Sequence, residues 1–168
     1  MASDMTVPCD GGYINLRVGA IILRDGKFLM MGNDVEDYLY SVGGRIQFGE
    51  TAEQAVVREV LEETGVAMEV DRLGFVHEDY FLGDTASKWG MVIYEVSFYF
   101  YMKVPEDFTP HCSSTAADGQ KEYLTWATPD DGRMMYPAFF RTELLHPVPW
   151  VKHMVTDDRP DDWAARQR

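Results

Sequence analysis

The pattern of apolar and polar positions predicts a series of strands, the first two of them joined by a tight turn. Arg17 to Leu23 is rich in β-branched residues, and a second apolar run, Lys27 to Met31, follows Asp25-Gly26. An Asp-Gly pair between two apolar runs is typical of a β-hairpin. The same reasoning predicts further strands over these segments: Tyr38 to Val42, Glu69 to Tyr80, the aromatic-rich Met91 to Val104, and Glu122 to Trp126.

Two helices interrupt the strands, and the first is marked at both ends. Thr51 followed by Gln54 predicts a capping box, and Gly65 suits the left-handed residue at which a helix ends. The helix is therefore expected over Ala52 to Thr64. A second helix is predicted over Pro137 to Leu145, with the proline in its first turn. Together these elements predict an α/β fold with a mixed sheet and helices on its faces.

Composition and charge narrow the class of protein. The chain has 168 residues, of which 46% are hydrophobic, so a single domain over residues 1–168 is expected, with 1–12 and 157–168 flexible or peripheral. A net charge of −13 disfavours nucleic acid as a partner, but it leaves room for a small phosphorylated ligand bound through a metal. No apolar run has the length of a membrane span. Two distant cysteines and a start without a signal peptide favour a reducing cytoplasm.

The first helix carries an unusual concentration of glutamates near its C-terminal end. At roughly 100° per residue, Glu59, Glu62 and Glu63 fall within an arc of about 100°. Ala52 and Ala55 share this side, where small residues would leave room for a ligand. The pattern predicts that an apolar face lies nearly opposite the acidic arc, formed by Val57, Val60, Leu61 and Thr64.

This acidic arc is unfavourable for an isolated helix. Like charges spaced three or four residues apart cost a few tenths of a kcal/mol, on the order of 0.3, per pair. Glu62 and Glu63 also lie in the last turn, where the helix dipole is already negative. One interpretation is a solvated acidic face. The other is that a divalent cation supplies the missing positive charge, since carboxylates are ligands that suit Mg²⁺ and Mn²⁺.

The spacing of the surrounding residues favours the second interpretation. Gly44 is followed by Glu50 and then by the run Arg58-Glu59-Val60-Leu61-Glu62-Glu63-Thr64-Gly65-Val66. This satisfies every specified position of the Nudix box, so the chain resembles a Nudix hydrolase. The resemblance implies an α/β/α sandwich around a mixed sheet, in which the box forms a loop, a helix and a loop.

The resemblance also implies a metal centre. Glu59 and Glu63 match the principal metal ligands of the family, and the carbonyl of Gly43 matches an additional one. Glu62 matches a position that supports the metals or, in some members, activates water. The implied cofactor is Mg²⁺, with Mn²⁺ as a substitute.

Two further residues are candidates for the catalytic machinery. Arg58 matches, together with Glu50, a pair in which the arginine holds the carboxylates of the box in place. Glu122 lies in a region where several family members supply another glutamate as ligand or base, although a surface position on a strand explains it equally well.

The candidate substrate contacts are less specific. Gly43 and Gly44 suit a tight backbone close to the substrate, and Tyr40 could stack on a base. Along Phe98 to Tyr101, one face of the strand is expected in the core and the other could line a base-binding pocket. Trp89 could close over the site if Gly83 to Gly90 is a mobile loop.

The remaining polar residues are weaker candidates for the site. Glu95 interrupts an apolar strand, so it either points into the site or is a charge that protects an edge strand from aggregation. The four histidines are scattered along the chain and are expected to be surface or edge residues: His77, His111, His146 and His153.

The sequence thus predicts metal-dependent hydrolysis of a diphosphate linkage in a nucleoside diphosphate derivative. No feature outside the box marks a subfamily, and a nucleoside triphosphate or a nucleotide sugar is the expected substrate. The alternative is a catalytically inactive ligand-binding module of the same fold that serves in regulation. A homodimer is compatible with the family, but no residue pattern tests it.

Overall fold

The computed structural model describes residues 3–83, 88–111, 119 and 121–163. The strands are β1 (Thr6–Cys9), β2 (Gly12–Ile21), β3 (Leu23–Arg24), β4 (Lys27–Asn33), β5 (Tyr38–Ser41), β6 (Gly43–Arg45), β7 (Glu69–Leu82), β8 (Val92–Lys103), β9 (Glu122–Ala127), β10 (Met134–Tyr136) and β11 (Lys152–Asp157). The helices are α1 (Ala52–Thr64) and α2 (Phe140–Glu143).

The strands form two sheets. The first has the order β1-β2-β8-β7-β11, with β6 paired to β2, and the second has the order β10-β5-β4-β3, with β9 paired to β4. The first sheet is mixed, because β2 runs parallel to β8 while β7 runs antiparallel to β8. The predicted mixed-sheet α/β fold is therefore confirmed.

Two hydrophobic cores lie on opposite faces of the first sheet. Successive residues of a strand point to opposite faces, so Ala20 on β2 enters one core and Ile21 the other. Helix α1 contributes Val56 and Val60 to the first core. Helix α2 contributes Phe140 to the second. This places one helix on each side of the sheet.

The second helix is shorter than the sequence predicts. Instead of extending over Pro137 to Leu145, α2 covers only Phe140–Glu143. Its first residues have no side-chain cap, so the backbone N–H groups at its start gain no stabilisation of that kind. The residues just before Pro137 instead pair with β5 as strand β10.

Several short strands were not predicted, and they share a physical reason. Strand β11 pairs in parallel with β7 but leaves most of its side chains exposed, and β1 is similarly exposed and contains Pro8. Strands this exposed lack the apolar alternation on which a sequence prediction depends. Within the described part of the chain, no helix is long and apolar enough to cross a membrane.

Candidate active site

Helix α1 begins and ends where its caps predict. The Thr51 hydroxyl accepts from the Gln54 backbone N–H at 3.2 Å, and the Gln54 side chain accepts from the Thr51 backbone N–H at 2.9 Å. At the other end, Gly65 has φ 71° and donates its N–H to the Leu61 carbonyl at 3.0 Å. These local contacts fix the length of α1 and therefore the positions of the glutamates along it.

The rotation of α1 differs from the prediction. Its fully buried residues are Ala55, Val56, Val60 and Thr64, whereas Leu61 is 47% exposed. Ala55 was expected beside the ligand and Leu61 in the core, so both expectations were wrong. As a result, Glu59 and Glu63 lie on the buried side of the helix instead of opposite it, and only Glu62 faces the solvent.

Arg58 is the centre of the polar contacts on this helix. Its Nε donates to Glu50 Oε1 at 2.6 Å and its Nη2 to Glu50 Oε2 at 3.0 Å, a two-pronged contact. Its Nη1 donates to Glu59 at 2.7 Å and to Glu62 at 3.1 Å. Nη2 also reaches the Arg45 carbonyl at 3.1 Å. Arg58 thus ties the loop before α1 to two carboxylates on the helix.

Glu63 is the most electrostatically strained carboxylate of the site. Its Oε2 accepts from the Gly43 backbone N–H at 2.7 Å. Burial, together with the charges of Glu59 and Glu122, nevertheless raises the pKa of Glu63 to about 8. Burial also raises the pKa of Glu59, although Arg58 opposes that shift. Both carboxylates would therefore gain from a nearby positive charge.

The residues present fit a divalent cation. Glu59 packs directly against Gly44, where an added Cβ would lie 2.4 Å from Glu59 Oε1. Only glycine allows this approach, and hard carboxylate oxygens are the donors that Mg²⁺ and Mn²⁺ prefer. Among the described residues, no group of three or more acidic, His or Cys side chains is already arranged around a metal position. Arg58 holds Glu59 and Glu62 instead.

Glu122 lies close to the carboxylates of α1. It accepts a 2.6 Å hydrogen bond from the Tyr40 hydroxyl, and its charge contributes to the raised pKa of Glu63. Tyr40 itself packs against the first core. The structure therefore gives Tyr40 a contact with Glu122, whereas its stacking on a base stays a prediction.

Glu95 is not an edge-strand charge. Strand β8 lies between β2 and β7, so that explanation was wrong. Glu95 Oε2 accepts from Asn15 Nδ2 at 3.3 Å, and its Oε1 lies 3.7 Å from Arg17 Nε. Glu95 therefore belongs to a polar surface on the first sheet that the sequence did not reveal.

The aromatic run on β8 does not leave one face open. Tyr99 and Tyr101 are buried in the second core, while Phe100 is buried in the first and Phe98 packs against it. The predicted base-binding face of this run was therefore wrong, because Phe139 and Phe140 pack against Tyr99 on one side and the first core fills the other. Trp89 is 76% exposed, and its closure over the site stays a prediction since residues 84–87 lie outside the described part.

One histidine also departs from expectation. His77 is buried, with Nε2 2.8 Å from Thr156 Oγ1. The other three are exposed, as expected: His111, His146 and His153. None of the four lies among the contacts of the α1 carboxylates.

A cavity near the first hairpin is separate from the carboxylates of α1. It has a volume of about 220 Å³ and is lined by residues that include Leu23, Phe28, Pro129 and Leu144. None of the site glutamates lines it. A ligand held through a cation suits the carboxylates of α1 better than a small apolar one would.

Comparison with known proteins identifies the domain to which this geometry belongs. The model of the NUDIX domain matches residues 14–150. A MutT-like protein of Streptomyces ambofaciens is 36% identical over 61 residues, a match that covers 36% of this chain. That match spans only 40% of the length of the relative.

Solved structures of Nudix hydrolases also resemble this chain. A MutT NUDIX hydrolase from Burkholderia pseudomallei superposes with a TM-score of 0.53 and is 26% identical, covering 70% of this chain and 85% of that one. A MutT protein from Bacillus halodurans has a TM-score of 0.59 and 15% identity, covering 86% and 91%. At that identity the second structure supports the fold alone.

Proposed function

Because this chain belongs to the Nudix family, we propose that it uses a divalent metal ion to hydrolyse a diphosphate linkage in a nucleoside diphosphate derivative. Membership of the family indicates a pyrophosphohydrolase acting on a small phosphorylated substrate. Nudix hydrolases generally use divalent cations. The observation that carries the proposal is the pair of partly buried carboxylates, Glu59 and Glu63, which lie beside the Gly43-Gly44 backbone and whose raised pKa values call for an added positive charge.

Each residue of the site has a proposed role. Glu59, Glu63 and the carbonyl of Gly43 would hold Mg²⁺ or Mn²⁺, and Glu62 would support them. A bound cation supplies neutralisation of the diphosphate and lowers the pKa of a coordinated water. Arg58 keeps Glu50 and Glu59 in place through its short hydrogen bonds.

Two glutamates are candidates for the proton acceptor. Glu122 is fixed by the 2.6 Å hydrogen bond from Tyr40, whereas the side chain of Glu62 is 57% exposed and is held by Arg58 alone among the described contacts. A general base must be held within reach of its proton. We therefore favour Glu122 as the base and Glu62 as an electrostatic support.

The substrate proposal is a nucleoside triphosphate or a nucleotide sugar. A cation held by Glu59 and Glu63 suits a polyphosphate, and the MutT-like relatives share the fold that carries these residues. We further propose a location in a reducing cytoplasm, since the chain has only two cysteines. We also propose a homodimer, which measurements of molecular mass in solution would test.

The test is a substrate panel with a phosphatase-coupled readout. Nucleoside triphosphates, ADP-ribose, nucleotide sugars and dinucleoside polyphosphates are compared with Mg²⁺, with Mn²⁺ and with EDTA. Turnover of at least one member, abolished by EDTA and restored by Mg²⁺ or Mn²⁺, is the expected result. A panel without metal-dependent turnover would instead favour the inactive binding module. A preference of about tenfold for ADP-ribose or a dinucleoside polyphosphate would overturn the substrate choice, since it is a difference of about 1.4 kcal/mol in transition-state binding.

A further inference from the structure

A pair of arginines faces the same surface of the first sheet without the close hydrogen-bond partners that Arg24 and Arg58 have. Arg17 on β2 lies directly opposite Arg45 on β6. Like charges placed opposite each other on antiparallel strands destabilise a sheet. This cost is notable in a protein whose net charge is −13, because carboxylates to neutralise such a pair are abundant.

Neither guanidinium is well satisfied. Arg17 has one carboxylate neighbour, Glu95, at 3.7 Å from Nε, and makes no hydrogen bond to a described residue. Arg45 Nη1 lies 3.6 Å from the exposed Asp4, and its buried Nε has no partner among the described residues. By contrast, Arg24 donates to the Phe108 carbonyl at 2.7 Å, and Arg58 makes several bonds of similar length.

A third cation joins the pair. Lys88 lies with Nζ 5.2 Å from the centre of the Tyr13 ring, and Tyr13 points to the same face of β2 as Arg17 because the two are four residues apart on a strand. Burial lowers the pKa of Lys88, and the charges of Arg45 and Arg17 lower it further. Arg17, Arg45 and Lys88 are called the cationic patch below.

The cationic patch adjoins the carboxylates of α1. Arg45 follows Gly43 and Gly44 on β6, and its own carbonyl accepts from Arg58. Burial lowers the pKa of Arg17, but the charges of Glu95, Tyr99, Glu63 and Glu59 offset this, and the pKa is raised overall. Glu63 accepts from the backbone N–H of Gly43 on the same strand as Arg45. A diphosphate held through a cation at Glu59 and Glu63 would therefore lie beside β6, where Arg45 neighbours Arg17.

We infer that Arg17, Arg45 and Lys88 form an anion subsite that binds a phosphate group of the substrate beyond the one held through the metal. Guanidinium groups bind phosphate through paired hydrogen bonds, and the free donors of Arg17 and Arg45 supply them. Glu95 acts as a positioning residue, since its Oε1 lies 3.7 Å from Arg17 Nε, and Asn15 on β2 holds Glu95 through a 3.3 Å hydrogen bond. This inference rests on the proposed function for the identity of the substrate, but the subsite itself does not.

The test measures binding of inorganic pyrophosphate by calorimetry at saturating Mg²⁺. Arg17→Gln is expected to weaken binding about tenfold or more, and Arg17→Lys by less, because lysine keeps the charge but loses the two-pronged geometry. The control is Arg159→Gln, which makes the same charge change. Arg159 stacks 4.1 Å from the centre of the Tyr80 ring, on the opposite face of the sheet, and its side chain is 32% exposed against 34% for Arg17.

A second readout separates the subsite from the metal centre. Binding of Mn²⁺ alone, followed by electron paramagnetic resonance, should be unchanged or tighter in Arg17→Gln, because removing a cation near Glu59 and Glu63 favours another cation. If Arg17→Gln is folded but its whole site is disturbed, the variant should bind both Mn²⁺ and pyrophosphate more weakly. That outcome would overturn the subsite. So would a pyrophosphate affinity of Arg17→Gln within about twofold of that of Arg159→Gln, because the loss of charged hydrogen bonds should weaken binding by more than this.

The two proposals fail in different ways. If the wild-type chain hydrolyses a panel substrate but Arg17→Gln matches Arg159→Gln in KM and kcat, the subsite is wrong and hydrolysis stands. If no substrate is turned over but pyrophosphate binding falls in Arg17→Gln alone, the subsite stands and hydrolysis is wrong. With both correct, KM for the substrate rises more than kcat falls, as expected when binding energy is lost in the ground and transition states alike.

Discussion

The acidic side of α1 and the cationic patch of the first sheet both bring like charges together, but the protein holds them in different ways. Arg58 fixes Glu50 and Glu59 with hydrogen bonds of 2.6 and 2.7 Å. The closest carboxylates to Arg17 and Arg45 are 3.7 and 3.6 Å away. The acidic side is therefore held rigidly by its own counter-ion, whereas the cationic patch is left with unused donors.

This difference is what a two-part phosphate site requires. Metal ligands must be positioned in advance, because their mutual repulsion would otherwise drive them apart. Donors that bind an anion can remain solvated until it arrives. Partial exposure of Arg17, with 34% of its side chain accessible, keeps the cost of its unpaired charge low until then.

The largest expected effect comes from removing a carboxylate of the acidic side. Glu59→Gln and Glu63→Gln should each lower kcat at saturating Mg²⁺ by about a hundredfold or more, since a metal ligand is lost. Without metal and at a pH above about 8, where Glu63 is ionised, each variant should melt at a higher temperature than the wild type, because one of two mutually repelling, partly buried charges is gone. Steady-state kinetics and thermal melts in EDTA provide the measurements.

The matched control for these variants is Glu53→Gln, an exposed glutamate in the first turn of the same helix. It should leave kcat unchanged. Near wild-type kcat in both Glu59→Gln and Glu63→Gln would show that these residues do not bind the metal.

The next effect in size tests the counter-ion that makes the acidic side rigid. Arg58→Ala should lower the free energy of unfolding by about 2 kcal/mol, because it leaves partly buried carboxylates without their partner. Activity should fall as well. Arg58→Lys should recover part of the stability, since it keeps the charge but not the two-pronged contact with Glu50. Urea denaturation checks both variants, and an Arg58→Ala chain as stable as the wild type would contradict the scaffold role.

The same two regions show how far the sequence could predict the site. The acidic side is formed by residues that are close together in the sequence. Caps at Thr51 and Gly65 fix α1, and the box lies within one short segment. Its residues could therefore be predicted from the sequence alone. The cationic patch depends on the pairing of β2 with β6, which lie far apart in the chain. No local pattern predicts that Arg17 and Arg45 become neighbours, and neither residue was a candidate.

Packing explains what was missed within the predicted elements. The hydrophobic pattern alone placed the glutamates of α1 opposite its core. The helix is instead turned so that Ala55 is buried and Leu61 is exposed, with Glu59 packed against Gly44 of β6. Aromatic residues on β8 were expected to leave one face open. Phe139 and Phe140 pack against Tyr99 on that face, and their position is a tertiary property that strand periodicity does not contain.

The third effect is a pH dependence of stability that comes from an acidic pair on the first sheet. This pair also brings like charges together, as the arginine pair does. Asp79 lies opposite Glu95 on the neighbouring strand, and its buried Oδ1 has no partner among the described residues. Burial and the charges of Glu95 and Asp158 raise the pKa of Asp79 from 3.8 to about 6. The folded protein therefore binds a proton more tightly than the unfolded chain, and its stability should fall as pH rises from about 4 to about 6.

Asp79→Asn should remove this pH dependence. The variant should exceed the wild type by about 1.5 kcal/mol in unfolding free energy at pH near 7 and match it at pH near 4. This is half of the ~3 kcal/mol that the rise in pKa implies, because solvent screens the partly exposed side chain. Denaturant titrations across this range measure the difference, with Asp71→Asn, an exposed aspartate on the same strand, as the control. A wild-type stability that is flat over the interval, or an equal response from Asp71→Asn, would contradict the assignment.

The smallest effect tests whether Tyr40 positions Glu122 or binds the substrate. The 2.6 Å hydrogen bond from its hydroxyl predicts that Tyr40→Phe lowers kcat about fivefold with little change in KM, because a single hydrogen bond to a carboxylate is lost while the ring remains. Tyr136→Phe is the control, since that ring lies on the adjacent strand β10 and is 48% exposed. Combining Tyr40→Phe with Glu122→Gln should give no further loss in kcat beyond Glu122→Gln alone, because the hydroxyl then has no carboxylate to position. A rise in KM without a fall in kcat would instead favour contact between Tyr40 and the substrate, and fully additive losses would separate Tyr40 from Glu122.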